Sequence, residues 1–240
     1  MKSRNIALCA TLLICAAAPA ATVLDGVYTG AQAARGAAAY QARCASCHDG
    51  ADVDGPPLTG DPFIDRWRED SLGSLYDFIK TSMPQDAPGK LDEAAYRDVL
   101  AYLLQANRYP SGSQELTAES LRHTDLIGHD GPQPLPTNAI ARTAGCLASG
   151  ANGAWVLASA AEPRRTRVAD HSTPEELASS AAQPLGSQSF RLQDLDELAG
   201  FQGDALKGHK VQVKGVLIRQ PGNDRINVAS LENLAAMCDK

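Results

Sequence analysis

Cys44, Cys47 and His48 stand together in the stretch CASCH. On a helix the two thiols, three positions apart, share one face, and the imidazole projects from nearly the same side one residue later. Thiols so placed can act as a redox pair, hold a metal, close a small disulfide, or add to the vinyl groups of one porphyrin whose iron the neighbouring imidazole binds. A redox pair of the thioredoxin kind needs a βαβ pattern around it, and nothing here alternates that way. A zinc site needs a second ligand pair within reach, and this half of the chain offers none. A bridge between residues three apart constrains little. The pattern therefore points to one covalently held haem c, with Cys44 and Cys47 as thioether residues and His48 as an iron ligand.

An electron-transfer haem is usually closed by a second side chain, often Met, which raises its potential. Beyond the N-terminal segment the chain has two methionines, Met83 and Met237. Met237 adjoins Cys238 at the far end. Met83 stands in KTSMPQDAPGKL, among Pro, Gly and Asp, so it is not on a helix face where a gap-filling core Met would sit. Met83 is the expected second iron ligand.

The elements that must position these groups read as helices. Residues 31 to 48 form a helix that delivers the motif. Ser71 can cap a second helix running through Leu75, Phe78 and Ile79. Asp92 can cap a third, with Tyr96, Val99, Leu100, Leu103 and Leu104 spaced i, i+3, i+4, i+7 and i+8. Trp67 in FIDRWRED has two readings that the residues leave open: it lines the haem propionate side with Arg66 or Arg68, or it belongs to a small core. Asp49, Asp52 and Asp54 have the density of a calcium loop without EF-hand spacing and read as a solvated loop.

Residues 25 to about 110 resemble a class I cytochrome c domain. Gly36 and Tyr40, eight and four residues before Cys44, match the family's first helix, where a glycine lets the last helix cross closely. GPPLTG at 55 to 60 matches the proline loop, and the resemblance implies that the Pro56 carbonyl accepts the Nδ1–H of His48. SMP at 82 to 84 matches the axial-methionine loop. LDEAAYRDVLAYLLQAN matches the last helix, with Leu100 and Tyr102 packing on the first. LDGVYTGAQAARG at the start and NRYPSG at the end are similar to cytochrome domains that accompany bacterial quinoprotein dehydrogenases, which implies such an enzyme as redox partner.

Residues 1 to 20 read as a secretory signal: Lys2 and Arg4, an apolar run from Ile6 through Ile14 to Ala18, and a small-residue site at Ala18-Pro19-Ala20. The run is too short to span a membrane, and no other segment is apolar enough to do so. A lipid on Cys15 is disfavoured because Ile14 stands where a small residue is needed. Loss of the segment takes the net charge from −6 to −8. Residues 21 to 144 carry 10 basic and 17 acidic groups, and residues 145 to 240 carry 10 and 11. An acidic first half argues against nucleic acid as a partner, fits a basic or dipolar protein better, and is also the usual way an exported chain stays soluble. The expected location is the periplasm.

The remaining cysteines, Cys146 and Cys238, should bridge in an oxidising compartment, tying the two ends of a second domain. Residues 111 to 144, rich in Ser, Gly, Pro and Thr, read as a linker, with AESLRH as a short helical interruption. Beyond it the period becomes two, in AWVLASA, QSFRLQDL, HKVQVKGVLIR and RINVASLENL. Residues 161 to 186, rich in Ser, Ala, Glu and Pro, read as a mobile loop. The region 145 to 240 resembles small exported OB-like domains through GCL at its start, GHKVQVKG in its middle and INVASLENL before the last Cys. It carries no nucleophile–base pair, metal cluster or phosphate loop; His171 and His209 read as ordinary residues, and docking or stabilisation is the role left to it. The expected fold is multidomain: an all-α cytochrome c domain, residues 21 to 110, and a small all-β OB-like barrel.

The leading functional expectation is a periplasmic carrier of single electrons between a dehydrogenase and a downstream acceptor, not an enzyme. Two others stay open: a haem enzyme or gas sensor with a labile sixth ligand, and a docking protein whose tail domain is the working part.

Overall fold

The structure, a computed structural model, describes residues 21–50 and 55–238. The expected secretory segment with Cys15, and Asp52 and Asp54, lie outside the described residues. No helix among the described residues is long and apolar enough to cross a membrane.

The first half is helical around one core. After strand β1 (Ala21–Thr22), helix α1 (Gly30–Arg43) starts where Thr29 Oγ1 accepts the Gln32 N–H. It stops at Cys44, whose φ/ψ of −124°/−37° breaks the helical run, and α2 (Ala45–His48) follows as a separate turn. One continuous helix over 31 to 48 is therefore not formed. Next come α3 (Asp61–Trp67), β2 (Asp70–Ser71), α4 (Leu72–Ser82) and α5 (Glu93–Ala106). Ser71 and Asp92 cap α4 and α5, accepting the Ser74 and Ala95 N–H groups at 3.0 and 2.7 Å. Helix α1 crosses α5 at Gly36, where a Cβ would lie 1.8 Å from the Asp98 carbonyl oxygen. Only a residue without a side chain permits that approach.

The stretch 111 to 144 is not a linker throughout. Helix α6 (Ala118–Arg122) and strand β3 (Thr124–Leu126) close the helical unit, β3 lying between β1 and β2 in a small sheet. Leu116, Leu121, Leu126 and Ile127 are buried in the first core beside Trp67 and Leu72. The buried Gln32 amide fixes the segment by bonding both the N–H and the carbonyl of Leu116, at 2.8 and 3.2 Å. These leucines lack a periodic spacing, so composition alone hid them.

The second half is built on six strands: β4 (Ile140–Ser149), β5 (Trp155–Ala160), β6 (Arg164–Arg165), β7 (Gln188–Gln193), β8 (Lys210–Ile218) and β9 (Arg225–Ala235). Helices α7 (Pro174–Ala182) and α8 (Gly203–Leu206) lie between them. The strand order is β5-β7-β9-β8-β4-β6, and β4 also pairs with β5, so five strands pair in a closed circuit. All pairs are antiparallel except β7 with β9. Leu147, Leu157, Phe190, Val211, Val213 and Leu217 fill the core. Cys146 lies inside β4, which begins earlier than the sequence suggests, and is bonded to Cys238 with a Cα–Cα distance of 5.5 Å.

Residues 161 to 186 are ordered against the sheet instead of forming a mobile loop. Thr173 and Glu176 form a reciprocal cap for α7, with Pro174 in its first turn. The strap covers Gln212 and Lys214 on the outer face of β8. Lys214 Nζ, fully buried, donates to the His171 carbonyl at 2.6 Å and to Glu176 Oε2 at 2.8 Å. His209 takes part in a plain surface contact with Asn233.

Candidate haem site

The break at Cys44 decides the local geometry. Its N–H still bonds the Tyr40 carbonyl at 2.8 Å, while its own carbonyl accepts the N–H groups of Cys47 and His48, each at 3.1 Å. The tight turn gathers both thiols and the imidazole at one point. Cys44 is half-buried, Cys47 exposed, and both thiols are unbridged, whereas Cys146 and Cys238 are bonded. Burial pushes the Cys44 thiol above its ordinary pKa.

His48 Nδ1 lies 2.7 Å from the Pro56 carbonyl oxygen. With its proton on Nδ1 the ring donates there, and among the described residues Nε2 has no hydrogen-bond partner. Gly55 makes this approach possible. A Cβ on it would fall 2.4 Å from the Cys47 carbonyl oxygen and 2.7 Å from His48 Nδ1, so a side chain would fill the space the ring and loop share. The Gly55 N–H also bonds the Cys47 carbonyl at 2.9 Å.

Around the turn the wall is apolar. Cys44 and Ala45 pack with Tyr40, Val99 and Leu103, and the same cluster includes Leu58 and Ile79. Tyr40 donates to Asp49 Oδ1 at 2.6 Å; burial, then that bond, raises its phenol pKa well beyond the usual range. Asn107 escaped the sequence reading altogether. It is buried, takes the Gly60 N–H on Oδ1 at 2.9 Å and donates from Nδ2 to the Leu58 and Leu103 carbonyls, pinning the loop after the motif to the end of α5. Its only sequence signal was a polar residue closing an apolar helix.

Met83 is the C-cap of α4, with extended backbone and a half-buried side chain. Its N–H bonds the Ile79 carbonyl at 2.8 Å, and its carbonyl accepts the Tyr96 hydroxyl at 2.9 Å, so two helices hold it. It connects to the motif through Ile79, which belongs to the cluster around Cys44. Trp67 ends α3 and is buried in the first core, with its ring 5.3 Å from that of Phe78. The arginine upon it is neither Arg66 nor Arg68. Arg66 lies over Phe78, Arg68 is bonded to Asp130 at 2.7 Å, and Arg167, from the second half, stacks 4.1 Å above the indole.

Two unbridged thiols, an imidazole oriented through Nδ1 with Nε2 open, and an apolar wall are a donor set that fits a haem bound through thioethers. Residues 31–103 match a cytochrome family. Its description is Cytochrome C oxidase, cbb3-type, subunit III. The match supports a c-type cytochrome domain over this part of the chain, and such a domain implies a haem cofactor and a redox partner. No curated protein and no solved structure matches the chain.

Proposed function

We propose that the protein is an exported, periplasmic carrier of single electrons and not an enzyme. Cys44 and Cys47 would hold one haem c covalently, His48 and Met83 would bind its iron, and a quinoprotein dehydrogenase is the donor the sequence resemblance favours. The observation that carries the reading is the His48 ring, fixed at Nδ1 by the Pro56 carbonyl at 2.7 Å, beside two unbridged thiols. When bound, the haem supplies a one-electron iron couple.

The chain's own residues do the rest. Pro56 holds the His48 ring in one orientation and tautomer. Leu58, Ile79, Val99 and Leu103 exclude water. Tyr96 holds the Met83 carbonyl, so the methionine loop need not reorganise when the charge changes. With His48 and Met83 both on the iron, no position would be left for a substrate, and the chemistry the haem would supply is electron exchange. The second half reads as an OB-like barrel: the closed pairing circuit and the parallel β7–β9 pair support it, and its role is to dock on the haem domain.

The test is production in a host with a haem-attachment system, followed by denaturation and mass measurement. One haem should stay on the denatured chain and be lost when Cys44 and Cys47 are both replaced by Ser. A chain without haem, or with haem removable by acid–acetone extraction, would overturn the reading.

A further inference from the structure

The tail unit reaches into the haem domain through a row of arginines between β5 and α7. Arg164 pairs with Asp125. The Arg165 N–H and Nε donate to the carbonyls of Glu69 and Arg68 at 2.9 and 3.0 Å. Arg167 Nε donates to Asp70 Oδ2 at 3.0 Å, Nη2 donates to the Arg66 carbonyl at 2.5 Å, and the guanidinium stacks on Trp67. Apart from Asp125, every acceptor belongs to residues 66 to 70, from the last turn of α3 to the start of β2.

That stretch matters to the haem site. Asp70 is 3% exposed and immediately precedes Ser71, the cap of α4, whose other end is Met83. Trp67 touches Phe78, the neighbour of Ile79, and Ile79 packs both on the core of Trp67 and on the cluster that contains Cys44. Arg167 thus makes the direct ion pair to a buried carboxylate at the start of α4, which Arg142, Arg164 and Arg165 face as well and to which the Ser71 N–H donates at 2.8 Å. Loss of one positive charge there leaves the surroundings more negative and favours the more positive, oxidised state of a nearby redox centre.

We propose that Arg167 is a positioning residue which the tail unit lends to the electron-transfer site: by neutralising Asp70 and clamping Trp67 it holds the reduction potential up. The proposal rests on the haem reading above. It gives the tail a function in the same molecule, as a part without which the potential is wrong.

The experiment is a spectroelectrochemical titration of the full-length haem-loaded chain. Arg167→Gln should lower the reduced-to-oxidised ratio about tenfold at fixed ambient potential, which is 59 mV for one electron. Arg167→Lys, which keeps the charge, should recover more than half of that shift. Asp70→Asn combined with Arg167→Gln should return towards the parent, because one positive and one negative charge have then both gone and the net charge beside Trp67 is the parent's. Equal potentials for parent and Arg167→Gln, or equal losses for Gln and Lys without rescue by Asp70→Asn, would overturn the proposal and leave only a mechanical clip. If Arg167→Gln does not accumulate, Asp70→Asn alone decides: it must raise the potential, and no rise overturns the proposal. A parent chain without covalent haem would fail before any titration, and would remove the haem reading itself.

Discussion

Replacing Gly55 with Ala probes how closely the loop after CASCH is seated on His48. The new Cβ would stand 2.4 Å from the Cys47 carbonyl oxygen and 2.7 Å from His48 Nδ1. Neither neighbour is the end of a flexible side chain; one is backbone, and the other is a ring bonded to Pro56. Reaching an ordinary contact of 3.4 Å from the carbonyl takes about 1 Å of movement, which the 2.9 Å Gly55–Cys47 and 2.7 Å His48–Pro56 bonds cannot both absorb. Overpacking of this kind costs about 1–3 kcal/mol. A lost hydrogen bond adds about 1 kcal/mol, and the stiffer unfolded chain returns about 0.4–1 kcal/mol. The net expectation is a loss of about 1–3 kcal/mol by the same reasoning. Urea unfolding followed at the haem absorbance measures it, with Gly30→Ala as control. Gly30 opens α1, and a Cβ there meets nothing within 4 Å, so its variant should lose no stability and gain up to about 1 kcal/mol from the stiffer unfolded chain. Equal stability of the two variants, with the His48 Nδ1 proton keeping its NMR shift, would refute the argument.

Asn107→Ala removes two hydrogen bonds that pin Leu58 and Gly60 and a third to the Leu103 carbonyl of α5, and should cost about 2–3 kcal/mol, read by the same unfolding curves. Glu176→Gln leaves the fully buried Lys214 without its anion; the expected loss is about 2–4 kcal/mol, largely recovered in Glu176→Gln/Lys214→Met, by calorimetry of the tail transition. Replacing Cys146 and Cys238 with Ser opens a loop of 92 residues and should lower stability by about 4–5 kcal/mol on the chain-entropy estimate, while the haem spectrum stays unchanged.

The sequence was most readable where the chemistry is local. Cys44, Cys47 and His48 declare themselves within five residues, Ser71 and Asp92 mark helix starts, and the alternation in HKVQVKGVLIR marks β8. The Pro56 contact and the Gly36 crossing followed from resemblance and lie where it implied. The reading weakened where composition stood in for structure. Residues 111 to 127 look like linker because Ser, Gly and Pro surround four leucine-type anchors without a period. Residues 161 to 186 look mobile for the same reason, although Thr173-Pro174-Glu175-Glu176 is a capping signal that could have placed α7. The strand β4 is hard to read because Thr143 interrupts its core-facing row and Arg142 stands on the opposite face; the Ala161 carbonyl satisfies the first, and the Glu176 carbonyl of α7 the second. Arg167 on Trp67 could not be seen at all: its partners lie about one hundred residues away, and no local pattern encodes that distance.

The central claim is that His48 and Met83 close the iron on both sides. Its most direct test is the optical spectrum of the oxidised protein beside that of Met83→Ala. A weak sulfur-to-iron charge-transfer band at the red edge, present in the parent and lost in the variant, is the predicted result. A parent that lacks the band, is high-spin and takes up added cyanide or carbon monoxide readily would contradict the account, and would make the site that of an enzyme or a sensor.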